Sequence, residues 1–304
     1  MYKLEGSKVA GVFARNQSKA ADFIKRHSLP KVYATVEELL ADEQVDMVYV
    51  ATPPGSHLEY TLAALDAGKH VYVEKPMTTY YADGLKMTRA AKAKGLKIFV
   101  AHYRRALPYF QLVKNMIDQG RIGRVLHVDM KLFHAPQPTD TKPDLHWRLQ
   151  PELAGGGYFF DHAPHGIDIV QYLLGETITD ATGKSNNFGR LYAAEDSVAG
   201  VMKTEHSIPI VASWCYVVAP EARTDQLVFT GTEGQIKCAV FDFNPIELLQ
   251  GSKTEFFPVQ NPMHIQMPYI QSIVNELRGE GSCSCHAEDA LTTAWAMDKL
   301  VNRI

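Results

Sequence analysis

Short apolar runs alternate with amphipathic segments along the first third of the chain. Apolar runs of strand length predict strands at Lys8–Phe13, Val32–Ala34, Asp46–Ala51, His70–Val73 and Lys97–His102. Apolar positions at helical spacing predict helices at Ser18–His27, Val36–Ala41, after Ser56 as N-cap, and Tyr80–Lys94. Strands that alternate with helices in this way indicate an α/β, doubly wound parallel sheet.

The pattern changes after Pro108. Helices are predicted at Tyr109–Gln119, Phe159–Leu174, near Pro268–Arg278 and at His286–Arg303. Between them lie strand-like runs at Val125–His134, Val198–Thr204, Ile210–Val218, Gln226–Thr230 and Gln235–Val240. This order predicts a C-terminal α+β domain built on a mostly antiparallel sheet. We therefore expect two domains, 1–104 and 105–304.

The segment 46–76 carries the clearest functional signal. Its strand–helix–strand order predicts a parallel pair whose carboxyl ends carry Thr52-Pro53 and Glu74-Lys75-Pro76. Ligands of such sheets bind at these ends. Because a charged pair at the end of a buried strand is costly without a partner or a task, Glu74 and Lys75 are candidate functional residues.

Two sequence blocks resemble the Gfo/Idh/MocA group of nicotinamide-dependent sugar and polyol oxidoreductases. The first is ATPPGSH followed by AGKHVYVEKP; the second is Trp147-Arg148 followed by ELAGGGYFFDHAPHGID, which is similar to the family's GGG…D…H…D motif. The resemblance runs from the second strand of a Rossmann-like domain to the terminal helix. It implies hydride transfer to or from a sugar, polyol or inositol-like substrate.

The chain departs from the family at its start. The family begins with a strand and a G-x-G-x-x-G turn that holds the cofactor pyrophosphate, and neither is found near the N-terminus here. Met1–Glu5 is similar to the tail of the helix that follows that turn, so the first Rossmann strand is expected to be missing. We expect about 20 further residues before Met1 in the gene or in a close relative, and weak cofactor binding without them.

Composition limits the functional classes. The 304 residues are 46% hydrophobic with a formal net charge of −3, which gives no basic field for nucleic acid or an anionic membrane. No apolar run is long enough to cross a membrane, and no signal-peptide pattern follows Met1. Four cysteines are too few for a disulfide scaffold. A cytoplasmic protein without a metal site is expected, since Cys283 and Cys285 lack a second ligand pair.

The resemblance implies three catalytic residues, Lys75, Asp161 and His165. Asp161 and His165 are four residues apart and share one face of a predicted helix. His165 suits proton transfer near neutral pH, Asp161 anchors a substrate hydroxyl, and Lys75 polarises the substrate oxygen. Pro164 fits the first turn of a helix, which favours a later helix start than Phe159. His162 is predicted to lie off the catalytic face.

The cofactor is expected to be NADP or NAD, with NADP favoured. Arg15 stands after the predicted second strand, where NAD-preferring proteins often carry Asp or Glu, and an Arg there accepts a 2′-phosphate or stacks on adenine. The cofactor-binding candidates share a position at or beside strand ends: Arg15, Thr52, Pro53, His57, Glu74 and Lys75. Glu74 is expected to orient Lys75 or the cofactor ribose.

Substrate contacts are expected from aromatic faces and guanidinium groups in the cleft between domains. The candidates are Tyr103, Arg104, Trp147 and Arg148, together with Asp161. Domain-interface packing is the alternative for the first four. The polar loop 135–146 before Trp147 is either a binding loop or a surface excursion. Glycines 155–157 are expected to let the backbone approach a ligand closely.

Two functional hypotheses follow. The first is an NAD(P)-dependent sugar or polyol oxidoreductase, and family members commonly pair through the C-terminal sheet, so a homo-oligomer is expected. The second is a vestigial or sugar-binding protein that keeps the cleft without holding a dinucleotide, because the glycine turn is absent. Cofactor titration separates the two.

Overall fold

A computed structural model describes residues 4–142 and 144–304. Of the predicted helix tail at Met1–Glu5, Met1, Tyr2 and Lys3 lie outside the described residues, and Leu4–Gly6 form a bend and turn. Pro143, in the polar loop, also lies outside them.

The first part of the described chain is a parallel sheet covered by helices. Its strands are β1 (Met47–Val50), β2 (His70–Val73) and β3 (Ile98–Val100), in that spatial order. Its helices are α1 (Gln17–His27), α2 (Val36–Ala41), α3 (His57–Asp66) and α4 (Tyr81–Lys94). β2 is central and almost fully buried, as expected for a strand with a neighbour on each side. The carboxyl ends of these strands therefore lie at one edge.

The predicted strands Lys8–Phe13 and Val32–Ala34 are replaced by a single parallel bridge between Val12 and Val32. The amide of Val12 donates to Lys31 O at 3.1 Å and that of Tyr33 to Val12 O at 2.9 Å. Within residues 4–142 and 144–304, no strand pairs with the outer edge of β1. A strand-forming pattern extends only where a neighbour supplies a ladder, which explains why this apolar run stays short.

The second part of the described chain contains an eight-stranded sheet. In chain order its strands are β4 (Val125–Phe133), β5 (Ile178–Asn186), β6 (Ser197–Thr204), β7 (Pro209–Cys215), β8 (Thr224–Gly231), β9 (Gln235–Cys238), β10 (Ile246–Gln250) and β11 (Lys253–Phe257). Their spatial order is β11-β10-β9-β8-β4-β7-β6-β5, and β4–β7 is the parallel pair among otherwise antiparallel neighbours. The mostly antiparallel α+β prediction is confirmed.

Strands β5, β10 and β11 were not predicted from the sequence. β5 and β11 contain many exposed positions, so their apolar signal is weak. The predicted strands at β7 and β9 extend beyond the observed ones. β9 ends at Cys238 because the Asp225 carboxylate accepts the amides of Val240, Phe241 and Asp242. β7 ends at Cys215, before the bend at residues 216–218.

Five helices accompany this sheet in the part of the chain that the structure describes. They are α5 (Pro108–Asp118), α6 (Pro151–Ala154), α7 (Tyr158–Leu174), α8 (Met267–Leu277) and α9 (Ala287–Leu300). α7 is buried along most of its length, and Phe159 meets Trp214 of β7 edge-on at 5.0 Å between ring centroids. α7 therefore forms part of the core while its first turns face the parallel sheet. The domain boundary at residue 104 stays a prediction.

Among the described residues, no helix combines the length and apolar character that crossing a membrane requires.

Candidate active site

Lys75 lies just after the end of β2 and connects the parallel sheet to α7. Its Nζ donates to Asp161 Oδ1 at 2.6 Å and to the Asp161 backbone carbonyl at 2.7 Å. The Lys75 side chain is 12% exposed and that of Asp161 is 18% exposed. Because each charge is largely removed from water, the pair satisfies groups that alone would be costly to bury. The contact brings together two residues that the sequence places 86 positions apart.

Asp161 is held by a second cation on its other oxygen. Arg148 Nε donates to Asp161 Oδ2 at 2.9 Å. Burial alone raises the pKa of this carboxyl, but the charges of Lys75, His162 and Arg148 and the Lys75 hydrogen bond lower it to about 2. The carboxylate therefore stays ionised at neutral pH. Each oxygen keeps a free acceptor direction for a substrate hydroxyl.

Trp147 and Arg148 lie in a short 3-10 turn, Trp147–Leu149, that His146 caps. The Arg148 guanidinium stacks 4.3 Å from the Trp147 ring centroid, and its side chain is 38% exposed. The two residues therefore form a flat, partly accessible surface beside Asp161. This arrangement is compatible with their predicted substrate contact, which stays a prediction.

His165 lies one helical turn after Asp161 and is buried. Its Nδ1 is 2.7 Å from Arg104 Nη1, and the Tyr103 ring packs on it edge-on at 5.8 Å. Burial lowers the pKa of His165 well below 6.5, and the positive charges of Arg104 and Lys75 lower it further. His165 is therefore a neutral imidazole near neutral pH.

Arg104 lies deeper than its prediction as a cleft-lining residue implied. It is 4% exposed, and Nε donates to Val240 O at 3.0 Å while Nη1 also donates to Tyr103 OH at 3.0 Å. Tyr103 is buried as well. Both side chains pack against the His165 ring. Their direct contact with substrate, predicted from the sequence, is not favoured by this burial.

α7 starts at Tyr158 and continues through Pro164, so the later helix start that Pro164 suggested is wrong. Pro164 removes one backbone donor in the helix, and that helix still places Asp161 and His165 on successive turns. The same-face argument therefore holds for this pair.

His162 was missed as a member of the site. Its Nε2 is 3.7 Å from Asp161 Oδ2, and its ring stacks on Tyr158 at 5.7 Å between centroids. Burial lowers its pKa to about 4, against the opposing effect of Asp161. Its Nδ1 has no hydrogen-bond partner in the described part of the chain. Helical geometry places His162 off the Asp161 face, but its side chain is long enough for Nε2 to approach the Asp161 carboxylate. The signal in the sequence that could have identified it is its position next to Asp161 in the motif.

Asp168, seven residues after Asp161 in α7, does not share the site with Asp161. It forms a two-pronged ion pair with Arg105, at 3.0 Å to Nε and 2.7 Å to Nη2. His102 Nδ1 lies 3.6 Å from Asp168 Oδ2, and burial lowers the pKa of His102 to about 4. This buried group stabilises the segment that carries Tyr103 and Arg104.

The glycines at 155–157 approach protein atoms in this structure, where the sequence had suggested a ligand. A Cβ at Gly155, whose φ is +84°, would lie 2.9 Å from Thr79 Cβ. A Cβ at Gly157 would lie 2.9 Å from the Glu195 carbonyl oxygen. The glycine run therefore lets the chain pack tightly just before α7, and this packing fixes the start of the helix that carries Asp161.

His57 is fully buried, which does not favour its predicted contact with the cofactor. Nε2 lies 2.9 Å from Thr52 O, and Nδ1 lies 3.0 Å from Pro76 O. The ring connects the loops after β1 and β2. Thr52 and Pro53 remain partly exposed at the strand end, and Thr52 Oγ1 accepts from Ser56 Oγ at 2.9 Å.

Glu74 does not contact the Lys75 ammonium. Its Oε1 accepts from Tyr49 OH at 2.6 Å and from Gln266 Nε2 at 3.1 Å, and its Oε2 accepts from the Lys75 backbone amide at 3.3 Å. Asp161 orients Lys75 instead. Glu74 is half-buried at the strand end, so its expected contact with a ribose stays a prediction.

Arg15 is exposed before α1, and no hydrogen bond or ion pair joins its side chain to the described residues. The side chain is accessible to a ligand.

Comparison with known proteins gives a consistent result. Residues 1–102 match the family model described as the Gfo/Idh/MocA oxidoreductase family, NAD-binding Rossmann fold, and residues 110–237 match the Gfo/Idh/MocA C-terminal domain. Oxidoreductase P35 from Formosa agariphila is 31% identical over 300 residues, which cover 98% of this chain and 91% of that protein. A 1,5-anhydro-D-fructose reductase from Ensifer adhaerens is 28% identical, covering 94% and 85%.

Solved structures share the fold. A levoglucosan dehydrogenase in complex with NADH and levoglucosan superposes with a TM-score of 0.85 at 22% identity, over 97% of this chain and 87% of that one. An aldose-aldose oxidoreductase from Caulobacter crescentus complexed with glycerol gives a TM-score of 0.85 at 20% identity, over 97% and 88%.

Proposed function

The chain belongs to the Gfo/Idh/MocA oxidoreductase family, and we propose that it transfers a hydride between a nicotinamide cofactor and a carbon of a sugar, polyol or inositol-like substrate. Relatives named 1,5-anhydro-D-fructose reductase and levoglucosan dehydrogenase support this substrate class. The observation that carries the proposal is the Lys75–Asp161 pair. It places a largely buried ammonium group at the carboxyl edge of the parallel sheet, in contact with a carboxylate from α7.

The proposed roles follow from the contacts. Lys75 donates a hydrogen bond to the reacting oxygen of the substrate and polarises it. Asp161 aligns Lys75 and accepts a hydrogen bond from a neighbouring hydroxyl through a free lone pair. His165 reaches the same oxygen from α7. Trp147 and Arg148 offer a ring face and fork donors that suit a sugar.

The cofactor fits one end of the site better than the other. Thr52, Glu74 and Lys75 stand at the carboxyl edge of the parallel sheet, where dinucleotides bind in doubly wound folds. In the described segments no glycine-rich turn joins a strand to a helix to hold a pyrophosphate. When bound, a nicotinamide supplies or accepts the hydride. Arg15, exposed and positively charged, supports NADP over NAD through a contact with the 2′-phosphate.

A second candidate is a sugar-binding protein that does not hold a dinucleotide. The unpaired outer edge of β1 within the described residues supports it, together with the absence of a G-x-G-x-x-G sequence. Fluorescence titration of the purified chain with NADPH and NADH distinguishes the two candidates. Saturable binding, followed by cofactor oxidation or reduction with a panel of sugars and polyols, supports the oxidoreductase. Sugar binding without cofactor binding supports the alternative.

We also propose a homo-oligomer that pairs through the outer face of the eight-stranded sheet. Val201 of β6 and Val211 of β7 are directly opposite each other in the ladder and are 46% and 41% exposed. Exposed aliphatic neighbours in the interior of a sheet suit burial against a second copy.

A further inference from the structure

We infer that Arg104 is a positioning residue that fixes His165 as the neutral imidazole with its proton on Nε2, so that His165 acts on the substrate as a hydrogen-bond donor. The general acid–base role expected for His165 then belongs to Lys75. The catalytic consequence rests on the proposed function, whereas the protonation state of His165 does not.

The contact between Arg104 and His165 allows one direction of hydrogen bonding. A guanidinium group carries five N–H donors, has no acceptor and stays protonated in proteins. Arg104 Nη1 lies 2.7 Å from His165 Nδ1, so Nδ1 must offer its lone pair. A neutral imidazole has one N–H, which is therefore on Nε2. An imidazolium would set N–H against N–H at this distance.

Arg104 is held too firmly to turn away. Its Nε donates to Val240 O at 3.0 Å, and its guanidinium lies 4.5 Å from the Phe241 ring centroid. Asp225 fixes that segment in turn by accepting the amides of Val240 at 3.0 Å and Phe241 at 2.6 Å. The position of Arg104 is thus set by backbone contacts that do not depend on a ligand.

The imidazole of His165 is equally constrained. Phe241 packs on it edge-on at 5.6 Å between ring centroids and Tyr103 at 5.8 Å, and the residue is 5% exposed. A ring flip would exchange Nδ1 and a carbon atom against Arg104 and would leave a buried donor without a partner. Such a loss is costly in a buried site, so the observed orientation is strongly preferred.

This arrangement prevents His165 from accepting the substrate proton. Nε2 already carries a proton, and the remaining lone pair on Nδ1 faces the Arg104 cation. Burial lowers the pKa of His165 well below 6.5, and the neighbouring Arg104, Lys75, His102 and His162 lower it further. His165 can therefore polarise a carbonyl, or hold an alkoxide, through Nε2–H without losing or gaining a proton.

The proton must then be exchanged with Lys75. A bound nicotinamide would supply the hydride for reduction of the carbonyl carbon; as the C=O π bond breaks, the substrate oxygen would take its proton from the Lys75 ammonium. In oxidation the substrate hydroxyl would give its proton to the Lys75 amine, and the bound nicotinamide would accept the hydride. Asp161 Oδ1 accepts a hydrogen bond from Lys75 Nζ at 2.6 Å and so holds the group in position.

The protonation state is measurable without activity. Long-range 1H–15N spectra of the full chain with 15N-labelled histidine distinguish protonated from unprotonated ring nitrogens, and the His165 signals are assigned by their loss in His165→Gln. We expect a single Nε2–H form of His165 that does not titrate between pH 8 and pH 5. An Nδ1–H form, or a titration near pH 6.5, overturns the inference.

A variant of Arg104 tests the cause. Arg104→Met keeps the apolar stem and removes every donor, so nothing holds the Nδ1 lone pair and an Nδ1–H form of His165 should appear beside the Nε2–H form. Arg124→Met, at an exposed arginine, is the matched control and should leave the His165 signals unchanged. A folded Arg104→Met protein whose His165 stays entirely in the Nε2–H form contradicts the role of Arg104. If that variant does not fold, the wild-type spectrum decides the inference.

Activity provides the second readout. A glutamine amide donates a hydrogen bond but is not a base, so His165→Gln should retain at least about tenfold more kcat than His165→Ala. Equal loss in both variants contradicts the donor role. If no sugar or polyol reacts at all, the proposed function fails while the tautomer result stands. If the tautomer is wrong but sugars react, only this inference fails.

Discussion

Lys75 Nζ and Asp161 form the contact that joins the parallel sheet to α7, with 2.6 Å to the carboxylate and 2.7 Å to the backbone carbonyl of the same residue. One ammonium group thus fixes both the side chain and the main chain of its partner. Lys75 follows a strand of the parallel sheet, and Asp161 lies in α7, which packs on the eight-stranded sheet. The contact therefore sets the geometry of the cleft between them as well as its charge.

Loss of the catalytic groups should reduce turnover while leaving the fold intact. Lys75→Met and His165→Ala should each lower kcat at least about a hundredfold, the usual range for a positioned proton donor or hydrogen-bond donor. Steady-state kinetics with the best substrate of the sugar panel gives the measurement. Lys86→Met, at an exposed lysine, is the control and should keep wild-type turnover. Wild-type turnover in either active-site variant would exclude that residue from catalysis.

The Lys75–Asp161 contact should be energetically coupled. In a double-mutant cycle with Lys75→Met and Asp161→Asn, the coupling in the free energy of unfolding should be roughly 1–3 kcal/mol, as for neighbours that share one ion pair. Urea denaturation at neutral pH measures it. The same cycle on the exposed pair Lys86 and Asp83 should give roughly 0.3–0.5 kcal/mol. Additive effects at Lys75 and Asp161 would show that the contact contributes no specific stability.

Arg15 should discriminate between the two cofactors. If its guanidinium meets a 2′-phosphate, Arg15→Ala should weaken NADP binding more than NAD binding, by roughly 1.5–3 kcal/mol at most. Fluorescence titration of both cofactors against wild type and variant measures the difference. Arg124→Ala serves as the control for a general loss of surface charge. Equal losses for NADP and NAD would mean that Arg15 stacks or packs without touching the phosphate.

The buried histidine His102 should make stability fall on acidification below pH 6.5. Burial lowers its pKa to about 4, so between pH 6.5 and 4 the unfolded chain binds a proton that the folded chain does not. Stability therefore rises with pH across this window, and the His102 contribution is fully present above it. From pH 7.5 to pH 5 it should cost about 2 kcal/mol of unfolding free energy.

Urea denaturation of His102→Gln at both pH values tests this contribution. The variant should lose less stability than wild type over the same interval, because glutamine binds no proton. His206→Gln is the control, since His206 has a 75% exposed side chain. An unchanged pH dependence in His102→Gln would show that His102 titrates normally in the folded state.

The exposed valine pair should report on oligomer formation. Val201→Lys together with Val211→Lys places two charges on the outer face of the eight-stranded sheet, where pairing with a second copy would bury them. Light scattering during gel filtration should show a smaller particle than wild type. Phe23→Lys, at an apolar position of α1 that is 41% exposed and lies outside this sheet, is the matched control. An unchanged mass in the valine variant would exclude this face as the interface.

Local patterns in the sequence determined most of the elements that carry the site. His70–Val73 was predicted with its observed bounds, and α2 likewise, because buried β-branched runs and capped amphipathic segments need no distant information. The motifs around Lys75, Asp161 and His165 identified the family and the candidate catalytic residues. These features are local, so a single chain read in order contains them.

The tertiary structure decided which side chains are in contact. Asp161, not Glu74, accepts the hydrogen bond of the Lys75 ammonium. Arg104 contacts His165 and does not line the cleft. Gly155 packs against Thr79, and Gly157 packs against Glu195. The apolar run at Lys8–Phe13 became a single bridge because strand extension depends on a neighbour in space. Hydrogen-bond direction, burial and pKa arise from atoms that lie far apart in sequence, and only the folded chain brings them within reach of one another.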